Sequence, residues 1–90
     1  MPSEVLAQID VLPTDVSLNL DELKKKIEEK LPEGVRIHSY RIIPIAFGLS
    51  KLRLNVIMPH SEGGTDRIEE IIKSVDGVDD VEVGAVSLYH

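Results

Sequence analysis

VRIHSYRIIPIAFGLSKLRLNVIM, Val35 to Met58, reads as two strands folded back on one another. The runs Val35 to Ile43 and Leu49 to Met58 are rich in β-branched and aliphatic residues. In the second run Leu52, Leu54, Val56 and Met58 share one face, while Lys51, Arg53 and Asn55 share the other. That alternation predicts a sheet with one buried side and one wet side. The segment between the runs, Pro44-Ile45-Ala46-Phe47-Gly48-Leu49, is apolar where a connection is normally polar. It holds Phe47, the only Phe of the chain, directly before a Gly able to take backbone angles closed to other residues. An apolar knob at a hairpin tip either packs beneath its own hairpin or is offered to a partner.

Working outward, Val5, Ala7, Ile9 and Val11 alternate with Glu4, Leu6, Gln8 and Asp10 in a first strand from Glu4 to Leu12, ended by Pro13. Asn19 is placed to cap a helix, with Glu22 three residues on as in a capping box. Leu20, Leu23, Ile27 and Leu31 form its apolar stripe, and Pro32 and Gly34 stop it. Beyond the hairpin, Pro59 ends the third strand and Ser61 to Thr65 lead into a second helix with Ile68, Ile71, Ile72 and Val75 as its stripe. Gly77 stands where a C-terminal cap belongs. In the last strand, Asp80 to Tyr89, the apolar phase changes from Val81, Val83 and Ala85 to Val86 and Leu88, which marks a bulge at Gly84. The halves echo each other: Val11-Leu12-Pro13 recurs as Ile57-Met58-Pro59, and Glu33-Gly34-Val35 as Asp76-Gly77-Val78. The order β-α-β-β-α-β predicts a ferredoxin-like α+β sandwich, with a four-stranded antiparallel sheet and two helices on one face, spanning residues 1–90 as one domain.

Ninety residues suit one modest core, and 42 % hydrophobic with 29 % charged content reads as a soluble globular protein. No apolar run approaches the roughly 20 residues that cross a bilayer, and Met1-Pro2-Ser3-Glu4 lacks a signal-peptide pattern. The absence of cysteine excludes disulfides, thiol nucleophiles and thiolate metal sites, and the whole fits a cytoplasmic protein. A net charge of −6, with the one basic run Lys24-Lys25-Lys26 followed by Glu28-Glu29, argues against nucleic acid as a direct partner.

No residue set points to catalysis, to a metal or to a cofactor. His38, His60 and His90 are scattered, and His60-Ser61-Glu62 are neighbours too close in sequence for triad geometry. No carboxylate pair stands out as acid and base. Gly63-Gly64 before a helix could cradle an anion, but Glu62 and Asp66 would repel it, and a turn explains the glycines. An acylphosphatase-type hydrolase of this fold needs an Arg between first strand and first helix, and residues 14–18 contain none. What is left is Phe47 as a rigid aromatic anchor for a partner's pocket, flanked by Lys51 and Arg53 for steering. The other reading is a small-molecule-binding regulatory domain with its effector at the Gly63-Gly64 loop.

Pro44-Ile45-Ala46-Phe47-Gly48-Leu49-Ser50-Lys51-Leu52, followed by Glu62-Gly63-Gly64-Thr65-Asp66, resembles the archaeal elongation factor 1-beta family over essentially the whole chain. It is also similar to the C-terminal exchange domain of the eukaryotic beta subunit, with its Pro-x-x-Phe/Tyr-Gly-Ile-x-Lys-Leu segment. The resemblance implies a non-enzymatic guanine-nucleotide exchange factor acting on elongation factor 1-alpha, in its GDP-bound and nucleotide-free forms. It implies that Phe47 enters the GTPase near the nucleotide site, with Gly48 shaping the tip and Ile45, Ala46 and Lys51 beside it in the contact. Eukaryotic members also present a lysine near the C-terminus that is thought to disturb Mg²⁺. This chain ends Ser87-Leu88-Tyr89-His90 with no lysine after Lys73, which leaves either another group or the Phe47 wedge to do that work.

Overall fold

Alternation along the first strand, β1 (Glu4–Pro13), sends Val5, Ala7, Ile9 and Val11 inward, and all four are buried in the computed structural model, which describes residues 3–60 and 64–89. Helix α1 (Leu20–Lys30) begins as expected: Asn19 accepts a hydrogen bond from the Glu22 backbone N–H at 3.1 Å. Strands β2 (Arg36–Ala46) and β3 (Leu49–Pro59) form the hairpin; helix α2 (Gly64–Lys73) and strand β4 (Val78–Tyr89) complete the order βαββαβ. The sheet order is β2-β3-β1-β4 with every neighbouring pair antiparallel, the ferredoxin-like arrangement.

One core lies between the sheet and both helices. Leu20, Leu23 and Ile27 of α1 and Ile68 and Ile72 of α2 share a cluster with Ile9, Leu52, Leu54, Val56 and Met58. Both helices therefore cover the same sheet face. The bulge falls where the phase change put it: Ala7 pairs with Val86 and Ile9 with Val83, so Gly84 and Ala85 together oppose Gln8. A Cβ on Gly84 would stand 2.9 Å from the Gln8 side-chain amide, so glycine makes room for Gln8. Gly77 lies beyond the end of α2, in the turn into β4, with φ +101°.

Two expectations need correction. Strand β2 does not stop at Ile43 but continues through Pro44, Ile45 and Ala46. Pro44 is tolerated because β2 is an edge strand, with one side on which no ladder donor is required. The face opposite the helices is also not uniformly wet, since Ile57 is only 1 % exposed there. Its register partners are Leu6 and Arg36, and the His38 and Tyr89 rings meet over this part of the sheet, centroids 5.8 Å apart.

Candidate functional site

Pairing between β1 and β3 ends at Val11 with Leu52, whereas β2 and β3 stay paired out to Ala46 with Leu49. The end of the hairpin thus runs beyond the last β1–β3 pair, in a molecule 45 Å long and about 20 Å across. Ala46 and Leu49 close a two-residue turn made of Phe47 and Gly48. Both have positive φ, +53° and +79°, the pattern of a type I′ turn, which favours Asn-Gly. Phe47 is the only non-glycine residue with positive φ among the described residues. A left-handed conformation costs an L-residue with a bulky side chain about 1–2 kcal/mol.

Nothing in the fold repays that cost, because Phe47 has 102 % relative exposure. Packing of the ring beneath its own hairpin is thereby excluded. Ile45, Ala46 and Gly48 are also exposed, and a Cβ at Gly48 would meet no atom within 4 Å, so glycine serves only the backbone there. Val16 and Ile42, both exposed, add to the apolar surface around the tip. They line a notch of about 200 Å³ with Pro13, Leu18, Leu20 and Gly48. The tip is therefore one apolar knob with an apolar collar, held by a paired hairpin rather than a loose loop.

Lys51 lies on the open sheet face and is engaged inside the fold. Its Nζ is 2.9 Å from Asp10 Oδ2, while Arg53 donates from Nε to Asp10 Oδ1 at 2.9 Å and from its terminal nitrogen to Oδ2 at 3.2 Å. The Arg53 hydrogen bonds hold the Asp10 carboxyl below the ordinary aspartate value, against the opposing effect of burial, and Lys51 adds to the lowering. A lowered folded-state pKa contributes stability that is complete above the unfolded value of about 4 and is lost as pH falls through the folded value. Asp10→Asn should cost about 1–3 kcal/mol at neutral pH. The difference from the unaltered protein should shrink in acid, as followed by urea unfolding at a series of pH values. A gap that persists unchanged at the lowest pH would mean the loss is steric.

Sequence reading brought out Ile45, Ala46, Phe47, Gly48 and Lys51 but not Asp10, Val16 or Ile42. Asp10 and Arg53 lie 43 residues apart and meet only through the β1–β3 register. Of the Gly63-Gly64 pair, Gly63 lies outside the described residues, as does His90. Gly64 borders a cavity of about 300 Å³ with Val5, Met58, His60 and Val86, at the end of β3 away from Phe47. No group of three or more His, Asp or Glu converges as metal ligands among the described residues, and no described helix is long and apolar enough to cross a membrane.

Residues 6–88 match the family model described as the EF-1 guanine nucleotide exchange domain. The chain is 51 % identical over 85 residues to elongation factor 1-beta of Staphylothermus marinus, covering 93 % of this chain and 94 % of the relative. It is 51 % identical over 85 residues to the Hyperthermus butylicus protein of the same name, covering 93 % and 92 %. The Methanothermobacter thermautotrophicus elongation factor 1-beta is 41 % identical over 80 residues, covering 89 % and 90 %. With a match along nearly its full length, this chain belongs to the EF-1 guanine nucleotide exchange domain family.

Proposed function

We propose that this protein promotes GDP release from elongation factor 1-alpha by seating Phe47 in the GTPase near its nucleotide site, in the cytoplasm and without covalent chemistry. The observation that carries the reading is a bulky aromatic held at positive φ, fully exposed, on the tip of a paired hairpin. Strain of this kind with no internal compensation is characteristic of sites that act on something else. Family membership supports the reaction class and points to EF-1, and the resemblance of the Pro44 to Leu52 segment implies its alpha subunit as the partner.

The energetics require only differential binding. A protein that binds nucleotide-free GTPase more tightly than the GDP-bound form weakens GDP by the same factor, and a tenfold weakening takes about 1.4 kcal/mol. Wedging the switch regions apart, or disturbing the Mg²⁺ that holds the phosphates, would provide that difference. Ile45, Ala46 and Gly48 border the inserted ring in this reading, and Lys51 lies at the margin of the contact.

Release of a fluorescent GDP analogue from the cognate elongation factor 1-alpha provides the test. Acceleration at substoichiometric amounts of this protein is expected. No acceleration of an otherwise active GTPase would overturn the reading and favour an effector-binding domain instead.

A further inference from the structure

We infer that the open face of the sheet at the base of the hairpin is a second docking surface, taking carboxylates of the GTPase that receives Phe47, with Arg41 as its principal contact. This rests on the exchange reading above and adds a residue and a partner chemistry to it. Arg41 and Arg53 are direct register partners on β2 and β3. Like charges placed opposite each other across a strand pair destabilise a sheet. Asp10 accepts from Arg53 and Lys51 and makes no ion pair with Arg41. With Glu82, the register partner of Asp10 on β4, this stretch of the face holds two carboxylates and three cations, a local excess of one positive charge in a chain whose net charge is −6.

Lys24 pairs with Glu28, Arg36 with Glu4 and Lys73 with Asp80, while Lys25, Lys26, Lys30 and Arg67 on the helices have no ion pair among the described residues. Arg41 is exposed and has no ion pair or side-chain hydrogen bond among the described residues. A free guanidinium offers a planar fork suited to bidentate carboxylate recognition. Arg41 precedes Phe47 by six residues, about 20 Å of strand, which fits within one interface of about 800 Å² per partner. The lack of a free stacking platform on this face, among the described residues, favours a protein partner over RNA: its His38 and Tyr89 rings are engaged with each other.

The test is stopped-flow association of the full chain and of Arg41→Glu with the cognate GTPase at about 0.05 M and about 0.5 M salt, where screening lengths differ severalfold. Arg41→Glu should slow association about tenfold at low salt, and the two proteins should converge at high salt. Thermal unfolding should not fall, because the substitution replaces a like-charge pair with an opposite-charge pair facing Arg53. An unchanged association rate at low salt, with GDP release still accelerated by the unaltered protein, would overturn the docking surface and leave the exchange reading standing. Failure of the unaltered protein to bind or accelerate would overturn both. Binding of a labelled single-stranded RNA that is lost in Arg41→Glu, with GTPase association unchanged, would assign the surface to RNA and overturn the inference.

Discussion

Replacing Phe47 by asparagine is expected to remove most of the exchange stimulation while making the protein more stable. The two effects have separate causes. Phe47 occupies the first position of a type I′ turn with φ +53°, where asparagine is among the favoured residues and a large side chain is strained. Its ring has no contact surface to lose, at 102 % relative exposure. Relief of the turn should therefore appear as a gain of about 0.5–1 kcal/mol. In a domain of this size that raises Tm by a few degrees. Aromatic anchors seated in a partner's pocket commonly contribute 2 kcal/mol or more, so acceleration of GDP release should fall at least about thirtyfold. Phe47→Ala should lose exchange to a similar degree with little change in stability. Nucleotide release and thermal unfolding measured on the same preparations separate the alternatives. A fall in Tm of many degrees would mean that the ring packs on its own fold. Full exchange activity in Phe47→Asn would mean that the tip is not the wedge.

The same residue marks where reading the sequence stops. Periodicity located the hairpin, and Leu52, Leu54, Val56 and Met58 proved to be the buried set of β3 on the face that the helices cover. The phase change in the last strand located the bulge at Gly84, because adding one residue to a strand necessarily inverts the apolar alternation. Pattern does not report direction, however. A Phe in an apolar connection is compatible with burial or exposure, and only the I′ geometry and the pairing beyond the last β1–β3 pair decide between them. The run from Val35 to Ile43 falls short of the strand's end because edge position, which licenses Pro44 within β2, is a property of strand order. Lys51 and Arg53 read as free cations because their shared acid, Asp10, reaches them across a register between distant strands. Arg41 gave no signal at all, since its meaning comes from standing opposite Arg53.

Leu54→Ala is expected to cost about 2–5 kcal/mol of stability, the range for emptying a fully buried leucine site. Leu54 has no exposed surface and pairs with Ile9, itself fully buried, at the centre of the face covered by both helices. A 90-residue domain has roughly 5–13 kcal/mol in total, so the loss would be a large share and should lower Tm by 10 °C or more. Ile57 provides the comparison, because it is nearly as buried on the same strand but faces the other way. Its cover comes from side chains on an otherwise open face, which are free to collapse into the space left by Ile57→Ala. That variant should lose less than Leu54→Ala. Urea unfolding of both variants tests the assignment; a near-neutral Leu54→Ala, or a reversed order, would put the main core on the wrong face of the sheet. Well below its lowered Tm, Leu54→Ala should still promote exchange normally per folded molecule. The turn that presents Phe47 is closed by β2 and β3 pairing with each other beyond the reach of β1, so its geometry does not depend on the filling of the core beneath Leu54.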